Sequence, residues 1–323
     1  MWLYLAALMG IYVLHRWYRQ RQTVDTLTEK HIFITGCDSG FGNLLARQLD
    51  AKGMRVLAAC FTEKGAEQLQ KATSERLRTT ILDITSTESV AAATEWVKGC
   101  VGNKGLWGLV NNAGIGFPVA PTEWLTKDDF AKVINVDLLG TIDVTLHMMA
   151  LVRRARGRIV NLSSMAGRVS IFAGGYSPSK YGIESFSDSL RREFHPFGVK
   201  VCIVEPGTFK TPIYDDAQKD FWDVWSRLPS EIKESYGERY FESYRNLLQL
   251  FIDTSNKNLC LVTNCIEHAL TSSRPCIRYI PGWDAKFLYT PLSYLPASIA
   301  DFILELILPK PAQTVSIMMQ KQN

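Results

Sequence analysis

Tyr176 and Lys180 stand four residues apart in the stretch Tyr176-Ser177-Pro178-Ser179-Lys180. On a helix that spacing puts both side chains on one face, so an ammonium can sit beside a phenol. A free phenol titrates near pH 10 and is a poor base at neutral pH, whereas a fixed cation beside it favours the phenolate. Such a pair can move a proton to or from a substrate oxygen. The spacing alone is common by chance. Here Ser163 and Ser164 precede it at the end of an apolar run, and a hydroxyl there could hold the same oxygen.

A second cluster is suited to a dinucleotide. Thr35-Gly36-Cys37-Asp38-Ser39-Gly40-Phe41-Gly42 has the spacing GxxxGxG and lies between a strand-like run and a helical one. Glycines there let the backbone approach a pyrophosphate, and a helix N-terminus offers free N–H groups and a positive dipole end. The second strand should end at Cys60-Phe61-Thr62, followed by Glu63 and Lys64. An acid at that place accepts from a ribose 2′-hydroxyl, and an arginine attracts a 2′-phosphate. No arginine is there, which favours NAD over NADP; neither is there an acid at the strand's end.

These residues need a scaffold that brings them to one edge. Apolar runs at His31–Gly36, Arg55–Phe61, Thr79–Ile84, Leu106–Asn111, Arg158–Ser163, Val199–Glu205 and Arg278–Pro281 read as strands. Helical patterns lie between the early ones, at Gly42–Lys52, Gly65–Thr73 and Ser89–Val101. Runs without polar alternation suit strands buried on both faces, and strand–helix alternation predicts an α/β Rossmann-type doubly wound parallel sheet. Asp83, Asn111-Asn112-Ala113-Gly114, Ser164 and Pro206-Gly207 then fall at strand C-terminal ends, with Thr211 shortly after, where such sheets bind ligands.

With those motifs in place, the chain resembles the short-chain dehydrogenase/reductase family over roughly residues 29–285. ITGCDSGFGNLLARQLD, GLWGLVNNAG, RARGRIVNLSS and SDSLRRE are similar to its microsomal retinol and 17β-hydroxysteroid dehydrogenase branch. The resemblance implies that Tyr176 is the general acid/base and that Lys180 binds the nicotinamide ribose and promotes the phenolate. Ser164 would hold the substrate oxygen. Gly36, Ser39, Gly40, Phe41 and Gly42 would form the phosphate loop, Asp83 would contact adenine, Asn111 and Gly114 would border the cofactor, and Pro206, Gly207 and Thr211 would meet its nicotinamide side. One position departs from the family pattern VNLLG: the chain reads Val136-Asp137-Leu138-Leu139-Gly140. Asp137 stands where an asparagine is usual, and a carboxylate there could pair with Lys180 and weaken its pull on Tyr176. Asn135 cannot substitute, since two residues rotate an α-helix by about 200°.

The resemblance implies an oxidoreductase that interconverts a lipophilic alcohol and its carbonyl, on retinoids or 3α- or 17β-hydroxysteroids. The same chemistry on an oxidised fatty-acyl or ceramide lipid, and a non-catalytic nicotinamide-binding scaffold, are the alternatives. Composition is ordinary for a globular protein. The net charge is only +4, with no run of five like charges, so nothing points to nucleic acid. The five histidines and seven cysteines show no metal spacing, and the cysteines read as free thiols.

Met1–His15 is apolar and without formal charge, and Arg16, Arg19 and Arg21 follow it. A membrane anchor over residues 1–22 is expected, with the main domain in the cytosol at the endoplasmic reticulum; a helix lying on the membrane or on the protein is the alternative. Residues 208–273, rich in aromatics such as Trp222, Trp225, Tyr236, Tyr240, Phe241, Tyr244 and Phe251, are expected to form a helical lid. Residues 286–323 form an apolar tail, either membrane-associated or packed on the domain. Oligomeric state is left open, a homodimer included.

Overall fold

The structure, a computed structural model, describes residues 22–311 together with Tyr4, Met9 and Gly10. The expected anchor over residues 1–22 therefore lies almost wholly outside the described residues, as does the tail beyond residue 311.

Seven strands form one parallel sheet in the order β3-β2-β1-β4-β5-β6-β7. They are β1 (His31–Ile34), β2 (Arg55–Cys60), β3 (Arg78–Ile81), β4 (Gly108–Asn111), β5 (Arg158–Leu162), β6 (Lys200–Val204) and β7 (Arg278–Tyr279). Six of the seven lie within two residues of their sequence expectation, because an apolar run must be covered on both faces; the edge strand β3, expected at Thr79–Ile84, ends three residues earlier at Ile81 and is only half-buried. Alternation fixes what covers which face. Ile32 and Ile34 pack with Leu45, Leu49, Val262 and Ile266, while Phe33 packs with Val97, Met148 and Val152 on the other side.

The first face is covered by α1 (Gly40–Ala51), α2 (Glu63–Lys71) and a later helix, Cys260–Thr271. The second is covered by α3 (Thr87–Val101), the run formed by α4 (Lys127–Ile134) and α5 (Thr141–Ala155), and α6 (Tyr176–Phe194). A capping box starts α4: the Thr126 hydroxyl accepts from the Asp129 N–H, and the Asp129 carboxylate accepts from the Thr126 N–H. Among the described residues, Lys127–Ala155 is the one helical run long and apolar enough to cross a membrane; its inner side packs into the core of the sheet.

After β6 come α7 (Ala217–Ser226), α8 (Ser230–Tyr236), α9 (Glu238–Asp253) and α10 (Cys260–Thr271). The lid expected over residues 208–273 is shorter than that. Val262, Ile266, Ala269 and Leu270 bury α10 against the sheet as the crossover into β7. Helices α7 to α9 pack apart from the cores of the sheet. Their aromatics form a core of their own around Trp124, whose ring centroid lies 4.9 Å from that of Trp225.

The last described helix, α11 (Ala297–Glu305), has no buried residue although it carries Ile299, Phe302, Ile303 and Leu304. With Trp283 (74% exposed), Phe287, Tyr294, Phe302 (63%) and Leu306, the segment from residue 283 presents a long apolar surface. Exposed apolar residues clustered along one segment are of the kind found at protein or membrane contact sites.

The short edge strand β7 is held by charge. Arg278 bonds Glu184 and Asp188 of α6 and Glu205 at the end of β6, the Asp188 contact being 2.9 Å. Burial, with Glu184 beside it, pushes the Glu205 carboxyl up to about 7. Arg278→Ala would leave three partly buried carboxylates facing one another. We expect a loss of about 3–5 kcal/mol in denaturant unfolding. The loss should be smaller in mildly acidic than in alkaline buffer, because protonating Glu205 relieves the repulsion; an unchanged midpoint would contradict this account.

Candidate active site

The catalytic candidates meet at the C-terminal edge of the sheet. Tyr176 opens α6, and Lys180 lies one turn further along the same helix, its Nζ 5.3 Å from the Tyr176 ring centroid. The helical spacing read from the sequence therefore does place ammonium beside phenol. Lys180 is only 6% exposed; its Nζ bonds the Leu162 carbonyl at 3.4 Å and faces Asp137 Oδ2 at 3.0 Å.

Asp137 is 1% exposed. It reaches the site through a π-helical segment, Asn135–Gly140, that joins α4 to α5. Such insertions frequently mark functional sites, because the extra residue per turn re-aims one side chain. Asn135 is left exposed, away from the lysine. The other carboxylate oxygen of Asp137 accepts from the Ile115 N–H at 2.8 Å, and Gly114 packs on the same carboxylate. Burial pushes the Asp137 carboxyl up against the opposing pull of Lys180 and the Ile115 N–H. Burial alone would lower the Lys180 ammonium, but Asp137 and then Tyr176 outweigh it, so Lys180 holds its proton more tightly than a free lysine.

Ser164, in the turn after β5, accepts from the Ala166 N–H at 3.1 Å. It lines two cavities. A large groove of about 750 Å³ runs from the glycine loop past Asp83 to Lys180 and Thr211. A smaller apolar pocket of about 150 Å³ lies between that groove and the lid, lined by Phe172, Leu248, Phe251, Ile252 and Tyr289 among others. Ser164, Tyr176, Pro206, Gly207, Ile213 and Tyr214 belong to the wall common to both. Of the seven lid aromatics singled out in the sequence, only Phe251 faces this pocket. Tyr214, not singled out in the sequence, is half-buried there, and desolvation holds its phenol protonated well above the usual range.

The groove has the features a dinucleotide requires. Ser39, the N-cap of α1, makes no side-chain capping bond, so the first N–H groups of the helix are open to a ligand. Gly36 has φ +69°, and a Cβ on it would lie 2.7 Å from Ala113 Cα; a Cβ on Gly42 would lie 2.2 Å from the Gly36 carbonyl oxygen. Gly42 thus closes the loop onto the helix, whereas Gly36, Ser39, Gly40 and Phe41 face the groove. Asp83 is at the groove too, its Oδ1 held by the Thr85 N–H and hydroxyl at 2.9 and 2.7 Å. Pro206, Gly207 and Thr211 line its far end, beside Tyr176.

Asn111 does not border the groove as expected. It shares a strand face with Leu109, and its amide is buried under α5, donating to Thr145 Oγ1 at 2.9 Å and Asn161 Oδ1 at 2.8 Å. The next residue, Asn112, lines the groove, and its amide donates to the Thr35 and Gly36 carbonyls at 2.9 and 3.0 Å. Strand alternation from Leu109 is the signal that separates the two asparagines.

A seven-stranded parallel sheet in the doubly wound order, with a glycine loop at its switch point and a Tyr-Lys pair on its rim, defines a nucleotide-binding oxidoreductase class. The short chain dehydrogenase family matches residues 30–221, and the chain belongs to that family. It is 58% identical over 317 residues to human retinol dehydrogenase 16 and 59% identical over 317 residues to human 17-beta-hydroxysteroid dehydrogenase type 6. Each alignment covers 98% of this chain and 100% of the relative. A short-chain dehydrogenase of Streptomyces avermitilis is similar in structure, with a TM-score of 0.67 and 26% identity, over 84% of this chain and 96% of that one.

Replacing Asp137 by asparagine removes the carboxylate that neutralises part of the Lys180 charge. The unshielded cation favours the phenolate more strongly. The acidic limb of kcat/KM for alcohol oxidation should then move to lower pH by about one unit. A pH–rate profile that superposes on wild type would show that the Asp137–Lys180 pair does not tune the phenol.

Proposed function

We propose that this protein is an NAD-dependent membrane-bound dehydrogenase that interconverts a lipophilic alcohol and its carbonyl, with retinoids and hydroxysteroids as its substrate class. One observation carries the reading: Ser164 and Tyr176 stand in the wall that separates a dinucleotide-sized groove from an apolar pocket. A substrate oxygen at that wall can be held by one hydroxyl and protonated or deprotonated by the other, while its carbon faces the groove. The names of the close relatives, a retinol dehydrogenase and a hydroxysteroid dehydrogenase, agree with a pocket of that polarity.

In this reading Gly36, Ser39, Gly40 and Phe41 cradle the pyrophosphate at the start of α1. Asp83 borders the adenine, Asn112 and Gly114 border the middle of the dinucleotide, and Pro206, Gly207 and Thr211 lie beside the nicotinamide. A bound nicotinamide accepts or supplies the hydride. The protein's own part is the proton and the geometry. Ser164 donates to or accepts from the substrate oxygen, Tyr176 exchanges its proton with it, and Lys180 stabilises the phenolate. Asp137 acts on Lys180 rather than on substrate. Apolar walls at Phe172, Leu248 and Phe251 exclude water from the reacting oxygen. NAD is favoured over NADP because no arginine follows β2.

Residues 29–285 form the catalytic domain in this reading, with residues 1–22 as anchor. Residues 286–323 form a second contact with the endoplasmic reticulum membrane, the domain facing the cytosol. The uncharged N-terminal stretch with its trailing arginines supports the anchor. The unburied apolar helix α11 supports the second contact, and the exposed Trp283 and Tyr294 that precede it are of the type enriched at membrane interfaces.

Tyr176→Phe should lower the rate of NAD reduction with a retinol and hydroxysteroid panel by about 10² or more, with little change in dinucleotide affinity; equal rates for wild type and variant would defeat the catalytic assignment. For the membrane contact, Phe302→Glu/Leu306→Glu in a chain lacking residues 1–22 should abolish co-sedimentation with phospholipid vesicles. Vesicle binding equal to that of the same truncated chain without the substitutions would remove α11 from the interface.

A further inference from the structure

The second strand ends without the acid that, in doubly wound folds, accepts from the adenosine ribose. The structure supplies an acid from another segment. Asp38, in the glycine loop, extends its side chain to the end of β2. Its Oδ2 accepts from the Phe61 N–H at 2.7 Å; its Oδ1 accepts from the Thr62 N–H at 2.9 Å and the Thr62 hydroxyl at 2.7 Å. Room for it is left by Gly65, where a Cβ would lie 2.5 Å from Asp38 Oδ1. Asp38, Phe61, Thr62 and Asp83 all line the same end of the large groove.

We propose that Asp38 is the residue that selects NAD over NADP, its carboxylate accepting from the adenosine 2′-hydroxyl and repelling a 2′-phosphate. This rests on the reading of the groove as a dinucleotide site. Three points support the assignment. First, Asp38 immediately precedes Ser39 and Gly40, at the N-terminus of α1, so it flanks the place where a pyrophosphate would sit. The ribose next to that pyrophosphate lies over the end of the second strand in this class of fold. Second, a carboxylate offers about four acceptor positions, and the protein uses three of them here, which leaves one for a hydroxyl. Third, the three bonds tether the carboxylate. It cannot swing aside to admit a phosphate, so a 2′-phosphate would meet a fixed negative charge. The charge is already felt by the protein: Asp38 adds to burial in pushing the Cys60 thiol, at the last residue of β2, up to about 12. Lys64, exposed on the first turn of α2, is the cation that would otherwise favour the phosphate.

The selection is thus written into the phosphate loop rather than into the strand that usually carries it. A loop residue that also braces the strand-to-helix turn couples cofactor choice to the shape of the loop itself.

The test is binding to the cofactor-free full chain, read by quenching of intrinsic fluorescence with NAD⁺ and with NADP⁺. The proteins are wild type, Asp38→Asn and Asp38→Ser, each checked by circular dichroism and thermal melting. Wild type should bind NAD⁺ more tightly, and raising the salt concentration should narrow the difference. In each folded variant the ratio of NADP⁺ to NAD⁺ affinity should rise by roughly tenfold or more, because a like charge has been removed. Asparagine keeps one oxygen for Thr62 and serine removes the amide altogether, so agreement between the two separates charge from loop shape. A wild type that binds both dinucleotides equally overturns the proposal. So does a folded variant that loses both affinities in the same proportion, which would make Asp38 a loop brace only. A wild type that binds neither dinucleotide overturns the dehydrogenase reading as well.

Discussion

The buried contact between Lys180 and Asp137 is the constraint around which the site is arranged. An ammonium that is 6% exposed needs polar partners to offset its lost hydration. Asp137 Oδ2 at 3.0 Å and the Leu162 carbonyl at 3.4 Å supply them. Each partner comes from a different element: the π-helical segment between α4 and α5, and the end of β5. The cation therefore ties α6 to both. Because Tyr176 rides on the same helix one turn earlier, the pairing also fixes where the phenol stands. The carboxylate pulls in a fourth element, since its second oxygen accepts the Ile115 N–H in the loop after β4. A neutral side chain at position 137 would leave that loop and the lysine with weaker reasons to meet.

The division of space above the sheet follows from how the lid is stabilised. Its helices do not depend on a ligand for a core. Trp124, Phe221, Trp225, Phe241 and Tyr244 pack on one another in tilted and stacked pairs. That core lies beside the apolar pocket rather than around it, so α9 can present Leu248, Phe251 and Ile252 as one pre-formed wall. A pocket built this way is sized by a few aliphatic and aromatic side chains on one helix face, while the reacting groups are held by the sheet.

Much of this was legible in the sequence. The strands could be read because parallel strands covered on both faces need unbroken apolar runs, and the site residues could be read because such sheets gather ligands at strand ends. The failures have physical causes. A run that is apolar throughout gives no polar alternation, so nothing local says whether Asn111 or Asn112 faces the groove; the answer depends on which face Leu109 takes, and that is set by α5. The segment that joins α9 to β7 has a helical period whether it caps the site or covers the sheet. Only the burial of Val262, Ile266 and Leu270 shows α10 to be a crossover. The acid at the end of β2 is not legible along that strand, because Asp38 reaches the strand's end through space from the glycine loop. The π-helical register at Asp137 has no signature in residue type at all.

The apolar surface after residue 283 is not an appendage to this site but part of its wall. Asp284 accepts from the Thr208 N–H at 2.6 Å, and Gly207 packs so closely on the Asp284 carboxylate that a Cβ would lie 2.1 Å from its Oδ1. Five residues further on, Tyr289 lines the apolar pocket. The turn at Pro206–Thr211, which lines the groove, is therefore pinned by the same segment that exposes Trp283 and Phe287 to the outside. One short, charge-assisted hydrogen bond to Thr208 and the close packing of Gly207 thus join that surface to the wall of the groove.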